Sequence, residues 1–244
     1  MGTGSLGERQ LFPHNWPQCA IFQPGNETGV NLLFFGFGYA PQRKGMNGTS
    51  ARHEAPGRLL VADVSGHGVP AALIASMVKL AAASQRAFAA DPSRLLSGMN
   101  SALLGNTQNQ FVTSAYVHLD SESRELRYSA AGHPPMLLLR NGRIMEVEQN
   151  GLMLAAFDFA SYSNVVRRLE PGDRLVLYTD GIVEASDAAG DFFGQHALVE
   201  LLRKTAGLSP SAAADSIISS VRKWAARQDD DLTVLLCDYV GAVH

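Results

Sequence analysis

Three carboxylates stand beside apolar, strand-like runs far apart in the chain. Asp63 closes "RLLVAD", Asp180 follows "RLVLYT", and Asp230 belongs to the acidic triplet 229–231 that precedes "LTVLLC". Small residues follow two of them: Gly66 and Gly68 flank His67 behind Asp63, and Gly181 follows Asp180. Burying several carboxylates together costs charge desolvation and mutual repulsion. A divalent cation removes that cost, and an all-oxygen donor set suits Mg²⁺ or Mn²⁺ rather than zinc. Each feature alone also has a plain structural reading. Asp-Gly is a common turn, and an acidic triplet before a strand is often a solvated loop. "GHGVPAA" has the small residues of a phosphate-cradling loop but lacks its Lys-Ser/Thr. A dinucleotide site would need a following strand where two helices are expected instead.

The elements that must position these acids follow from the apolar pattern. Strand-like runs recur at "CAIFQP", "NLLFFGFGY", "RLLVADV", "FVTSAYVHLD", "ELRYSAAG", "MLLLRNGRIMEVE", "RLVLYTDG" and "DLTVLLCDYV". Asn141-Gly142 marks a hairpin, because both residues tolerate positive φ, and "DSESR" marks a second short reversal. Close returns of this kind imply antiparallel pairing. A first helix begins near Pro70 and is apolar on nearly every face, which predicts burial between layers. A second is capped by Asp91, has Pro92 in its first turn and ends at Gly105. "GQHALVELLRKTAG" and "SPSAAADSIISSVRKWAARQ" form a later helical pair. Strands grouped in blocks predict antiparallel sheets covered by helices, not a doubly wound parallel sheet. Residues 40–57 have loop composition and are expected to be exposed.

The chain of 244 residues is 46% hydrophobic and 18% charged, which supports one large folded domain rather than a solvated disordered chain. A net charge of −3 with scattered basic residues excludes nucleic acid and anionic lipid as main partners. The two cysteines, Cys19 and Cys237, sit in apolar runs and read as buried thiols in a reducing compartment. No basic-then-apolar leader opens the sequence, and Lys79, Gln85 and Arg86 interrupt its longest apolar stretch. A soluble cytoplasmic protein is expected, with no membrane partner.

The ordered set "DVSGHGVPAAL", "SAAGHPPMLLLR", "LEPGDRLVLYTDGIVEA" and "DDLTVLL" resembles the PPM family of metal-dependent serine/threonine phosphatases, and within it the bacterial SpoIIE/RsbU branch. The likeness implies a short lead over 1–11 and a phosphatase domain over 12–241. It also implies an α+β fold, an αββα four-layer sandwich of two antiparallel sheets flanked by helical pairs. Carried onto this sequence, it makes Asp63 the carboxylate that bridges two Mn²⁺ or Mg²⁺ ions, with the Val64 carbonyl as a further ligand. Asp180 and Asp230 would also bind metal, Asp231 would support them, and Glu184 would stand behind Asp180. His67 is a candidate proton donor to the leaving group, with a hydrogen-bonding role equally open; His133 reads as structural. The implied reaction is attack by metal-activated water without a phosphoenzyme. The implied substrate is a phosphorylated anti-sigma-factor antagonist, with a separate partner or dimerisation supplying regulation.

Two departures from the family stand out. Asn31 and Phe34 occupy the positions of the two aspartates in the family's first motif, so a neutral oxygen replaces one metal ligand. One of the two ions is therefore expected to bind more weakly. The interval between Asn31 and Asp63 is also longer than the family shows, and the polar loop 40–57 accounts for the excess. These departures sustain a second reading, a degenerate phosphatase-like domain that binds a partner or phosphoprotein with little catalysis.

Overall fold

In "RLLVAD" the four side chains between Arg58 and the carboxylate are all apolar because both faces of their strand are covered. Leu59 and Val61 face one buried cluster while Leu60 and Ala62 face another, the period-two alternation of a strand lying between two layers. The computed structural model describes residues 57–148, 150–227 and 230–241 fully, and the backbone alone of Gln18–Phe22 and Val30–Phe37.

The strand holding Asp63, β3 (Gly57–Val64), pairs antiparallel with β2 (Val30–Phe37) on one side and β4 (Val112–Asp120) on the other. The sheet continues through β5 (Glu125–Ala131). The free edge of β5 is shared by the two-residue β8 (Asn150–Gly151) and by β9 (Val165–Arg168). The second sheet runs β1 (Gln18–Phe22), β11 (Val234–Tyr239), β10 (Asp173–Tyr178), β6 (Met136–Arg140), β7 (Arg143–Val147), antiparallel throughout. The β6–β7 turn is Asn141-Gly142, with φ of 50° and 75°, as its residue types predict.

Between the sheets lies a core that includes Leu59, Val61, Val117, Met136, Leu177 and Leu235. Helices α1 (Gly68–Ser84) and α2 (Pro92–Leu103) cover the outer face of the first sheet. Helices α3 (Gly194–Lys204) and α4 (Pro210–Trp224) cover the second. The four-layer α+β sandwich is therefore present. The Asp91 carboxylate accepts the Arg94 N–H at 3.3 Å and the Ser209 hydroxyl accepts the Ala212 N–H at 3.3 Å. Both caps precede a proline in the first turn, as read from sequence.

Three expectations need correction. Helix α1 buries one face, through Ala71, Ile74, Ala75, Val78 and Ala81, while Val69, Leu73 and Leu80 are exposed; among the described residues it is an outermost layer with neighbours on one side. The sheets are not wholly antiparallel, because β8 pairs in parallel with β5, after a connection long enough to allow it. Cys237 is disulfide-bonded rather than a free thiol. Its register partner across β1 and β11 is Cys19, the other cysteine of the sequence, and directly opposed residues of an antiparallel pair bring their Cβ atoms close. The lead over 1–11 and loop 40–57 lie outside the described residues, except Gly57, which opens β3. Among the described residues no helix is long and apolar enough to cross a membrane.

Candidate metal centre

Each carboxylate reaches the site by a different local device. Asp63 is the penultimate residue of β3, and the alternation that sends Val61 into the inter-sheet core sends Asp63 to the same face. Its register partners are Asn31 on β2 and Thr113 on β4. Behind it, Gly66 has φ of 90°, a conformation that only glycine adopts freely, and the chain turns there into α1. Asp180 lies just past β10, in a 3-10 turn over Asp180–Ile182, where its carboxylate accepts the Gly181 N–H at 3.0 Å. Asp230 lies in the turn that leads into β11 and accepts the Asp231 N–H at 2.7 Å.

Carboxylate oxygens of Asp63, Asp180 and Asp230 lie within 4.8 Å of one another. The arrangement is electrostatically tense. Burial first, then the neighbouring charges of Asp180, Asp230 and Asp231, push the Asp63 carboxyl up to about 8, a rise partly opposed by a hydrogen bond from the Val64 backbone. Burial and Asp180 likewise raise Asp230, with the Asp231 backbone opposing. Glu184 is raised by burial and by Asp180 and Asp230, so it belongs to the same field. An oxygen-only cluster whose members repel one another is suited to a hard divalent cation.

The scaffold under the acids ties the ends of two neighbouring strands of the second sheet, β10 and β11, together. Buried Thr179 donates its hydroxyl to the Asp231 carbonyl at 3.1 Å and accepts the Thr233 N–H at 3.1 Å. Gly181 sits so close to this loop that a Cβ there would fall under 3.0 Å from the Asp231 carbonyl oxygen and 3.4 Å from Asp230 Cβ. His133 follows β5 and is buried; Thr113 Oγ1 lies 3.0 Å from its Nδ1, and Asn150 bonds its backbone on both sides. Burial pushes its imidazole down to about 4, with the Tyr178 backbone opposing, so it stands neutral between the strands that carry Asp63 and Asp180. Its place matches the structural role read from the sequence.

A family model described as Stage II sporulation protein E (SpoIIE) matches residues 55–240. The chain belongs to the SpoIIE family. "Phosphoserine phosphatase RsbU" of Bacillus subtilis (strain 168) is 29% identical over 182 residues, which are 73% of this chain and 54% of RsbU. The chain thus spans about half the length of that relative. In fold, it is similar to the SiaA-PP2C domain of Pseudomonas aeruginosa, with TM-score 0.73 at 21% identity over 91% of this chain and 86% of that one. It is also similar to the catalytic domain of the serine threonine protein phosphatase PstP in complex with 2 manganese ions. There the TM-score is 0.65 at 15% identity, over 91% and 98% of the two chains. The SpoIIE-family sandwich and its branch are as the four motifs implied.

The remaining predicted positions divide. His67 is the exposed N-cap of α1 and makes no side-chain capping bond. Val64 closes β3 directly after Asp63. Asp231 is buried, and its charge acts on Asp63. Asn31 and Phe34 are placed as backbone of β2, and their side chains lie outside the described residues. Sequence reasoning missed Thr179 and the closeness required at Gly181. It also missed Arg222 and Arg227, which line the same cleft as Glu184 and Asp230. Asp-Gly followed 50 residues later by Asp-Asp contains no sign that the two turns touch.

Proposed function

We propose that this chain is a Mn²⁺- or Mg²⁺-dependent protein phosphatase. Its substrate is phosphoserine or phosphothreonine on a phosphorylated regulatory protein of the anti-sigma-factor-antagonist type. The observation that carries the reading is the meeting of Asp63, Asp180 and Asp230, from three separate segments, within 4.8 Å. Family membership, a relative named as a phosphoserine phosphatase and a like fold holding two manganese ions support it.

In this reading Asp63, with the Val64 carbonyl, would be the ligand shared by two cations, and Asp180 and Asp230 would complete the set that holds them. Two such cations, when bound, supply charge stabilisation for the phosphoryl oxygens and a water that ionises near neutral pH. Thr179 fixes the spacing of Asp180 and Asp230 by holding the Asp231 carbonyl. Asp231 and Glu184 add negative charge behind the ligands, and His67, exposed at the start of α1, delivers a proton to the departing seryl oxygen. Asn31 is in register with Asp63; as a neutral ligand in place of a carboxylate it would hold one cation more weakly.

The test is phosphate release from a phosphoserine peptide with Mn²⁺, wild type against Asp63→Asn. Turnover that Asp63→Asn abolishes supports the reading. If the wild type is inert and Asn31→Asp is active, the chain is instead a phosphoprotein-binding domain whose catalysis has decayed. If both are inert while Mn²⁺ binds, the phosphatase proposal fails.

A further inference from the structure

A cleft opens beside Asp230, one of the three clustered carboxylates. It encloses about 420 Å³, and its lining includes Gly181, Glu184, Asp230, Ser186, Arg222 and Arg227. That is a volume suited to a small organic ligand, more than one phosphoryl group fills. The arginine wall is built from two braced pieces, the exit of α4 and a hairpin over 186–192. A bridge between Ser186 and Phe192 closes the hairpin, and the Asp187 N–H donates to the Asp191 carbonyl at 3.0 Å. The Ala226 N–H donates to the Ser186 carbonyl at 3.0 Å, and Trp224 Nε1 donates to the Asp191 carbonyl at 3.2 Å. The Trp224 ring meets Phe193 edge-on at 6.1 Å. Arg222 and Arg227 are thus exposed side chains on a fixed wall rather than on a free loop.

The cleft carries both signs of charge. Asp230 clusters with Asp63 and Asp180, Glu184 lies in the field of Asp180 and Asp230, and Arg222 and Arg227 line the same cleft. A guanidinium is always charged and presents a planar fork that fits a carboxylate with two parallel hydrogen bonds. A substrate segment whose phosphoryl group sat at the carboxylate cluster would have these arginines in the same cleft as its next residues.

We propose that Arg222 and Arg227 form a substrate-recognition subsite that takes an acidic side chain adjacent to the phosphorylated residue. The subsite rests on the phosphatase reading above and names the sequence class of the phosphoprotein: phosphoserine or phosphothreonine with a neighbouring Asp or Glu. Its contribution is to binding and orientation, not to the chemical step.

The experiment compares wild type with the Arg222→Gln/Arg227→Gln double variant on two phosphoserine peptides in Mn²⁺. The peptides differ only in Asp/Glu against Asn/Gln beside the phosphoserine. Phosphate release gives kcat/KM, and fluorescence anisotropy gives affinity for the same peptides carrying a non-hydrolysable phosphonate. The wild type is expected to favour the acidic peptide by about five- to tenfold, mostly through KM, as two partly exposed ion pairs allow. That preference shrinks between about 50 and 300 mM salt. The double variant loses it, while turnover of the neutral peptide and of p-nitrophenyl phosphate stays within about twofold of wild type, which a general structural loss would not leave intact. An Arg222→Lys/Arg227→Lys variant retains part of the preference because it keeps the charge but not the fork. No preference in the wild type, or the same preference in wild type and double variant, overturns the subsite. A binding preference that depends on the arginines, without hydrolysis by the wild type, supports the subsite and refutes the phosphatase reading instead.

Discussion

Gly181→Ala tests whether the two acidic turns must touch for the site to work. The added Cβ would come under 3.0 Å from the Asp231 carbonyl oxygen, a backbone atom that cannot rotate away, and to 3.4 Å from Asp230 Cβ. Restoring ordinary van der Waals contact needs a retreat of about half an ångström or more. The loop cannot retreat freely, because the Asp231 carbonyl accepts the Thr179 hydroxyl and Thr179 is itself tied to Thr233. Either that bond breaks or the 3-10 turn holding Asp180 moves; in both cases Asp180 and Asp230 separate. Metal sites tolerate errors of about 0.2 Å in ligand distance. A shift of this size is therefore expected to weaken Mn²⁺ by about ten- to a hundredfold, similar to the loss of a supporting contact. Overpacking adds about 1–3 kcal/mol of instability. Calorimetric Mn²⁺ titration and thermal unfolding read both effects. Gly207→Ala is the control, since a Cβ there meets nothing within 4 Å. A Gly181→Ala protein that unfolds earlier yet binds Mn²⁺ like wild type would refute the reasoning, leaving the contact as packing alone.

Metal-free protein, kept in chelator, should lose stability as pH rises from about 4 to about 8. The folded chain holds the Asp63 proton to about 8 and the unfolded chain releases it near 3.8, so folding takes up a proton across that window. Subtracting the profile of Asp63→Asn isolates this slope; identical profiles would contradict it. His133 gives the opposite slope: held down to about 4 from 6.5, it costs stability as pH falls through that interval. His133→Gln should remove this acid-side loss and cost about 1–3 kcal/mol through the buried contact with Thr113, read by chemical denaturation across pH. Asp91→Ala, which removes the α2 cap, should cost about 1 kcal/mol. Mn²⁺ affinity should not change, and a drop would show that α2 is coupled to the site.

The layers were legible because their signals are local. Leu59–Ala62 and Leu175–Tyr178 are apolar without interruption because both faces of a central strand are buried, and Asp91-Pro92 and Ser209-Pro210 announce helix starts through their own side chains. β9 escaped notice because Val165–Arg168 lies at a sheet edge with three exposed residues, so no alternation marks it. The apolar composition of α1 suggested burial all round, yet nothing in composition reports that only one side has a neighbour. At the site, the aspartates could be named from strand ends and motif resemblance. The Thr179–Asp231 tie and the arginine wall could not, because each depends on turns brought together only by the finished sandwich.

The most direct measurement is a calorimetric titration of Mn²⁺ into the chelator-treated protein at pH 7.5, wild type beside Asp63→Asn. Saturable binding accompanied by proton release is expected, since a carboxyl raised to about 8 must ionise to bind the cation. Asp63→Asn should weaken that binding by about a hundredfold or more. No Mn²⁺ or Mg²⁺ binding by the wild type at millimolar concentration, or equal binding by both proteins, would contradict a shared cation site at Asp63, Asp180 and Asp230.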